Sequence, residues 1–117
     1  MQVEWEAKKD SEMNVLFVCS RNKWRSRTAE TIFKGNQDHI VKSAGTENDA
    51  RIKVTEKLIN WAELIFVMEK RHKQRLQERF REALDHKRII VLDIEDNCKY
   101  MDEELIETLK RSVTPYL

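Results

Sequence analysis

Four short apolar runs, separated by segments with helical spacing, limit what this chain can fold into more than any other feature. Asn14–Val18 (NVLFV) is continuous and apolar, as strands buried on both faces are. His39–Ala44 (HIVKSA), Glu63–Met68 (ELIFVM) and Arg88–Leu92 (RIIVL) supply three more strands. Between them, Ala29, Ile32 and Phe33 mark a helix over 26–34, with Gly35 as its stop. Residues 46–53 have no period and read as a loop. Val54, Leu58 and Trp61 line a short helix that Thr55 is placed to cap. Leu76, Phe80 and Leu84 recur every four residues through the charged segment 69–86, predicting an amphipathic helix whose charge is its wet face. His72 is expected to lie on that wet face. Met101, Leu105, Leu109 and Val113 form the stripe of the last helix, with Asp102, Glu103 and Glu104 in a first turn whose dipole favours acids.

This alternation predicts an α/β fold of a single domain and three layers, with a four-stranded parallel sheet flanked by helices. Ligands of such sheets bind beyond the carboxyl ends of the strands. Cys19 ends the first strand, and Asp93 and Asp96 lie just past the last, so the topology brings them to one edge.

At 117 residues the chain suits one domain, placed at 13–117, after a charged leader over 1–12 that has no period. Lys and Arg total 22 against 21 Asp and Glu, a balance unsuited to a general nucleic-acid or membrane-surface binder. No apolar run approaches the roughly 18 residues of a membrane span. Two cysteines are too few for a disulfide framework, and with three scattered histidines they show no zinc spacing. The expectation is a soluble cytoplasmic protein that needs no metal or other cofactor and has no nucleic-acid or membrane partner.

The segment Cys19-Ser20-Arg21-Asn22-Lys23-Trp24-Arg25-Ser26 joins the first strand to the first helix. A loop there turns backbone N–H groups inward, and the helix adds its positive end. An oxyanion held at its centre would meet those donors and the planar fork of Arg25. The same field favours a thiolate at Cys19, in line to attack the anion's central atom.

The segment resembles the active-site loop of the low molecular weight protein tyrosine phosphatases, Cys-x-Gly-Asn-x-Cys-Arg-Ser-Pro after an apolar strand. Cys19, Asn22, Arg25 and Ser26 match it, and Ala29-Glu30 match the helix that follows. Ser43-Ala44-Gly45-Thr46 is similar to the family's Ser-Ala-Gly-Thr block, Ile94-Glu95-Asp96 to the loop carrying its acid, and WAELIFVME to its third strand. The resemblance implies a cysteine-dependent phosphomonoester hydrolase of the protein tyrosine phosphatase type, acting through a cysteinyl phosphate. Cys19 would be the nucleophile, Arg25 the phosphoryl clamp and Asp96 the general acid, with Asp93 as rival. Ser20, Arg21, Asn22, Lys23, Trp24, Arg25 and Ser26 would form the phosphate loop, supported by Asn22, Ser26 and Ser43. Expected partners are a phosphorylated protein or small phosphomonoester as substrate, and inorganic phosphate or other oxyanions as inhibitors.

The chain departs from the pattern where Arg21 replaces the loop glycine, Trp24 the second loop cysteine and Arg27 the proline. The segment after Ser-Ala-Gly-Thr is shorter, and Asn97-Cys98-Lys99 follow Asp96 in place of proline and aromatics. Trp24 is a candidate pocket wall, and Tyr100 a candidate replacement for the family's aromatic wall. Two alternatives stand beside hydrolysis. A thiol-dependent arsenate reductase would have only Cys98 as resolving thiol. A non-catalytic phosphate- or phosphoprotein-binding module would need neither thiolate nor acid.

Overall fold

The computed structural model describes residues 13–35 and 38–117. The expected leader, 1–12, lies outside the described residues. In chain order the elements are β1 (Met13–Cys19), α1 (Arg25–Phe33), β2 (His39–Gly45), α2 (Glu56–Trp61) and β3 (Leu64–Val67). They continue with α3 (Lys70–Arg79), β4 (Arg88–Val91), α4 (Glu103–Val113) and a closing 3-10 turn (Thr114–Tyr116).

The strands form one parallel sheet in the order β2-β1-β3-β4. Val15, Phe17 and Cys19 of β1 face α1 and α4, where they meet Ala29, Phe33, Leu105 and Leu109. Leu16 and Val18 face the other way, onto Ile59 of α2 and Leu76 of α3. Three layers follow because β1 and β3 are apolar on both faces. Phe17 stacks between Phe33 and Phe66, at centroid distances of 5.7 and 5.1 Å. Burying each such side chain contributes about 1.5–3 kcal/mol. This is the expected architecture.

Chain order reverses at β1, which sends β2 to one side and β3 to the other. The crevice at such a switch point opens between the loops after β1 and β3. Cys19 and Glu69 therefore stand at the same mouth.

Several local expectations are corrected. The helix expected over 69–86 ends at Arg79. Phe80 leaves helical geometry (φ −132°, ψ 38°), and His86 takes a left-handed φ of 69° as the chain turns back into β4. Leu84 still reaches the core, from a turn. His72 is not on a wet face: it is 1% exposed. Met101 precedes α4 with φ 61° and is exposed, while Asp102 is that helix's cap, accepting from the N–H groups of Glu104 and Leu105. Thr55 caps α2 as expected, by accepting from Leu58 N–H at 3.2 Å, but the fully buried residue of that helix is Ile59. Gly35 lies just past α1 without a positive φ.

Candidate active site

The loop after β1 curls around the Cys19 sulfur. Asn22 N–H donates to Sγ at 3.2 Å, and Ser26 Oγ lies 3.0 Å from it. Asn22 has φ 58°, a conformation that asparagine tolerates better than most residues. Arg21, which stands where the resembled family has glycine, does not adopt a positive φ.

Asn22 fixes the loop from inside. Its Nδ2 donates to Ser26 Oγ at 2.7 Å and to Ser43 Oγ at 2.8 Å. The first bond occupies an acceptor site on Ser26, whose proton is then directed to the Cys19 sulfur or to the more distant Ala44 carbonyl, 3.4 Å away. Ser43 donates to the Glu30 carboxylate, Glu30 lies 4.0 Å from Arg51, and Arg51 Nε returns to the Asn22 carbonyl at 3.1 Å. The circuit closes on itself. The short segment after Gly45 adds a backbone brace, with Glu47 N–H on Ser20 O and Arg51 N–H on Arg21 O, both at 2.9 Å. That segment is sufficient to support the loop despite its length.

Arg25 is 2% exposed, and its guanidinium is anchored by one edge. Nη1 donates to the Glu69 carboxylate and, at 2.8 Å, to the Ile94 carbonyl. Nη2 makes no hydrogen bond among the described residues, and Nε stands 3.8 Å from Asp96 Oδ1. The Nε–Nη2 edge, the fork that matches two oxyanion oxygens, thus makes no hydrogen bond among the described residues and faces Asp96. Arg71 also grips Glu69, at 3.1 Å. Its hydrogen bond, with the neighbouring Arg25, holds the Glu69 carboxyl at about 2 against the opposing effect of burial.

Cys19, Arg25 and Asp96 line one hollow of about 550 Å³. Trp24, 40% exposed, forms part of its wall. Arg21 and Lys23 also face it, and so do Arg71 and Arg75 of α3 and the acid Glu47. Asp93, by contrast, has φ 57° and opens on a second hollow, together with Cys98. Tyr100 does not wall the first hollow. Its hydroxyl meets Thr31 Oγ1 at 2.9 Å and its ring carries the Arg27 guanidinium at 4.4 Å, which ties it to α1.

Cys19 and Cys98 are both free thiols. Burial, helped by Asp102, pushes the Cys98 thiol up. Among the described residues, Cys98, Asp102 and Glu104 are the group whose ligand atoms cluster closely enough for a metal, within 4.8 Å. Asp102 already caps α4 with its carboxylate.

Sequence reasoning missed Glu69, His72 and Arg51. Glu69 is an acid directly past a strand end, and His72 follows it at the three-residue spacing of a capping box. His72 also precedes Leu76 by one helical turn, in line with the apolar stripe of that helix. Those signals were present.

No protein-family model matches the sequence, and no curated protein does. Solved structures do match. A low molecular weight protein tyrosine phosphatase from Streptococcus pyogenes superposes with a TM-score of 0.71 at 18% identity, covering 90% of this chain and 91% of that one. The tyrosine phosphatase Wzb from Escherichia coli K30, in complex with phosphate, gives 0.70 at 19%, covering 89% and 95%. The YwlE arginine phosphatase from Geobacillus stearothermophilus gives 0.68 at 24%, covering 89% and 88%. The fold is that of the low molecular weight protein tyrosine phosphatases. Within that fold, Cys19 ends the first strand, with Asn22 N–H and Ser26 Oγ on its sulfur. No helix among the described residues is long and apolar enough to cross a membrane.

Proposed function

We propose that this chain is a cysteine-dependent phosphomonoester hydrolase of the protein tyrosine phosphatase type, acting on a phosphorylated protein or small phosphomonoester in the cytoplasm. One observation carries the reading: the Cys19 sulfur, met by Asn22 N–H and Ser26 Oγ, shares one hollow with Arg25 and with the acid Asp96. Binding alone requires no sulfur there.

In the first step the Cys19 thiolate attacks phosphorus as the ester P–O bond breaks, and protonated Asp96 gives its proton to the leaving oxygen. Arg25 and the loop's donors balance charge on the non-bridging oxygens. In the second step Asp96, now a carboxylate, takes a proton from water as the water attacks the cysteinyl phosphate. The S–P bond breaks, phosphate leaves and the thiolate returns. No redox partner enters.

Arsenate reduction is disfavoured because Cys98 opens on a different hollow, where its thiol donates to Asn97 Oδ1 at 3.4 Å. The arginine phosphatase among the structural neighbours raises phosphoarginine as a substrate. Arg21, Arg71 and Arg75 at the hollow are paired with Asp49, Glu69 and Glu47, so the charge of the leaving group does not separate phosphoarginine from a phosphorylated hydroxyl, and the two substrates are compared directly.

The test is turnover of an aryl phosphate, with a phosphoarginine peptide in parallel, by wild type and Cys19→Ser. Wild type should hydrolyse the aryl ester, and the variant should bind phosphate without turnover. Substantial activity in Cys19→Ser would rule out the covalent route.

A further inference from the structure

We propose that His72 is a positioning residue that aims the Ser20 hydroxyl proton at a non-bridging oxygen of the bound oxyanion. The inference rests on the phosphate-site reading above and adds a residue outside the phosphate loop.

The bonds of the imidazole fix its tautomer. Glu69 N–H donates to His72 Nδ1 at 3.0 Å, so Nδ1 must present a lone pair. A neutral ring then carries its proton on Nε2. The ring is neutral over the ordinary pH range, because burial first, and then Arg25 and Arg71, push His72 down to about 4. Glu69 opposes this shift, and Arg75 adds to it.

Nε2 lies 2.9 Å from Ser20 Oγ. With the proton on Nε2, the histidine donates and the serine accepts. The Ser20 proton must therefore point elsewhere, and Oγ makes no other hydrogen bond among the described residues. Ser20 follows the nucleophile directly and lines the same hollow. Its donor capacity is thus free on the hollow that would hold a phosphoryl group. Accepting from Nε2 keeps the Ser20 proton off the imidazole, which leaves it available to an anion in the hollow.

Residues 69–72 act on the site at two points. Glu69 caps α3 and holds Nη1 of Arg25, while His72 completes the same capping box and holds Ser20. Two anion-binding groups on the loop after β1 are thereby set by a single turn at the end of β3.

Two amides divide the functions of the imidazole. His72→Asn keeps an acceptor near Nδ1 for the Glu69 N–H and removes the donor to Ser20. His72→Gln places an amide N–H near Nε2. Vanadate and inorganic phosphate affinities should be measured by calorimetry for wild type, both variants, Ser20→Ala and Ser20→Ala/His72→Asn, with thermal melting of each. Ser20→Ala and His72→Asn should each weaken anion binding about ten-fold, as expected for one hydrogen bond to a charged group. The double variant should lose no more than either single, because both remove the same donor. His72→Gln should recover most of the affinity, and His72→Asn should keep a near wild-type melting temperature.

Full affinity in His72→Asn beside a loss in Ser20→Ala would overturn the inference, leaving His72 a purely structural residue. Additive losses, or no loss in either single variant, would also overturn it. Wild type that binds anion but hydrolyses no aryl phosphate would defeat only the hydrolase reading, and wild type that binds no anion would defeat both.

Discussion

Asn22 and Ser43 are joined by a 2.8 Å hydrogen bond that ties the loop around Cys19 to β2, across 21 residues of sequence. Asn22 also holds Ser26, and it does so from a left-handed backbone. Asn22→Ala loses both bonds and places a Cβ residue at φ 58°, so we expect destabilisation of about 2–4 kcal/mol. Asn22→Gly loses the bonds but accepts the backbone, and should be the more stable variant of the two. Denaturant unfolding measures the difference. Equal stabilities would show that the backbone conformation carries no cost there.

Gly45 is the other half of this junction. A Cβ at that position would stand 2.5 Å from the Ser20 carbonyl oxygen, 2.7 Å from Ala50 Cβ and 2.9 Å from the Arg21 carbonyl carbon. Two of those atoms are backbone of the loop around Cys19 and cannot swing aside as a long side chain would. Gly45→Ala should cost about 1–3 kcal/mol and displace the loop. Phosphate affinity, measured by calorimetry, should fall with stability. Unchanged affinity would mean that the loop shifts without harm to its donors.

Asp96, not Asp93, should be the acid, because it shares the hollow with Cys19 and stands 3.8 Å from Arg25 Nε. Asp96→Asn should slow phenyl phosphate hydrolysis by about 100-fold or more and a nitrophenyl ester far less, since a good leaving group needs no proton. Asp93→Asn should affect both substrates mildly. The reverse ranking would transfer the role to Asp93.

Acid should destabilise the fold in two overlapping windows. His72 falls from 6.5 to about 4 on folding, so the unfolded chain binds that proton more tightly. Protonating the buried ring therefore costs the folded state of order 3 kcal/mol, a penalty absent above pH 6.5 and fully developed as pH falls to 4. Glu69, lowered from 4.5 to about 2, contributes above pH 4.5 and is lost on the way to 2. Melting temperatures across pH 3–8 should drop below pH 6.5 in wild type. His72→Asn should flatten the curve between 6.5 and 4, and a wild-type curve already flat there would contradict the buried neutral ring.

The strand–loop–helix chemistry was legible because it is local. Cys19, Asn22, Arg25 and Ser26 lie within eight residues, and a strand end followed by a helix start leaves such a loop few ways to fold. The four strands were legible because burial on both faces demands continuous apolar runs, which little else in a charged chain resembles. Helix ends were less so. Leu84 carries the same apolar signal from a turn that it would from a helix, and periodicity cannot separate the two.

The layered fold, the loop around Cys19 and the edge of the sheet where the candidate site lies are all written in residue type and short-range spacing. Only the tertiary structure decided which side chains hold that loop in shape. Arg25 meets Glu69 across 44 residues, Ser20 meets His72 across 52 and Arg51 meets Asn22 across 29. It also turned Tyr100 away from the pocket and onto α1. Such pairings depend on strand order, which sets β1 beside β3, and on where each connecting segment turns. A pairwise contact over that distance leaves no periodic trace in the chain, because its partners are brought together only once the sheet has formed.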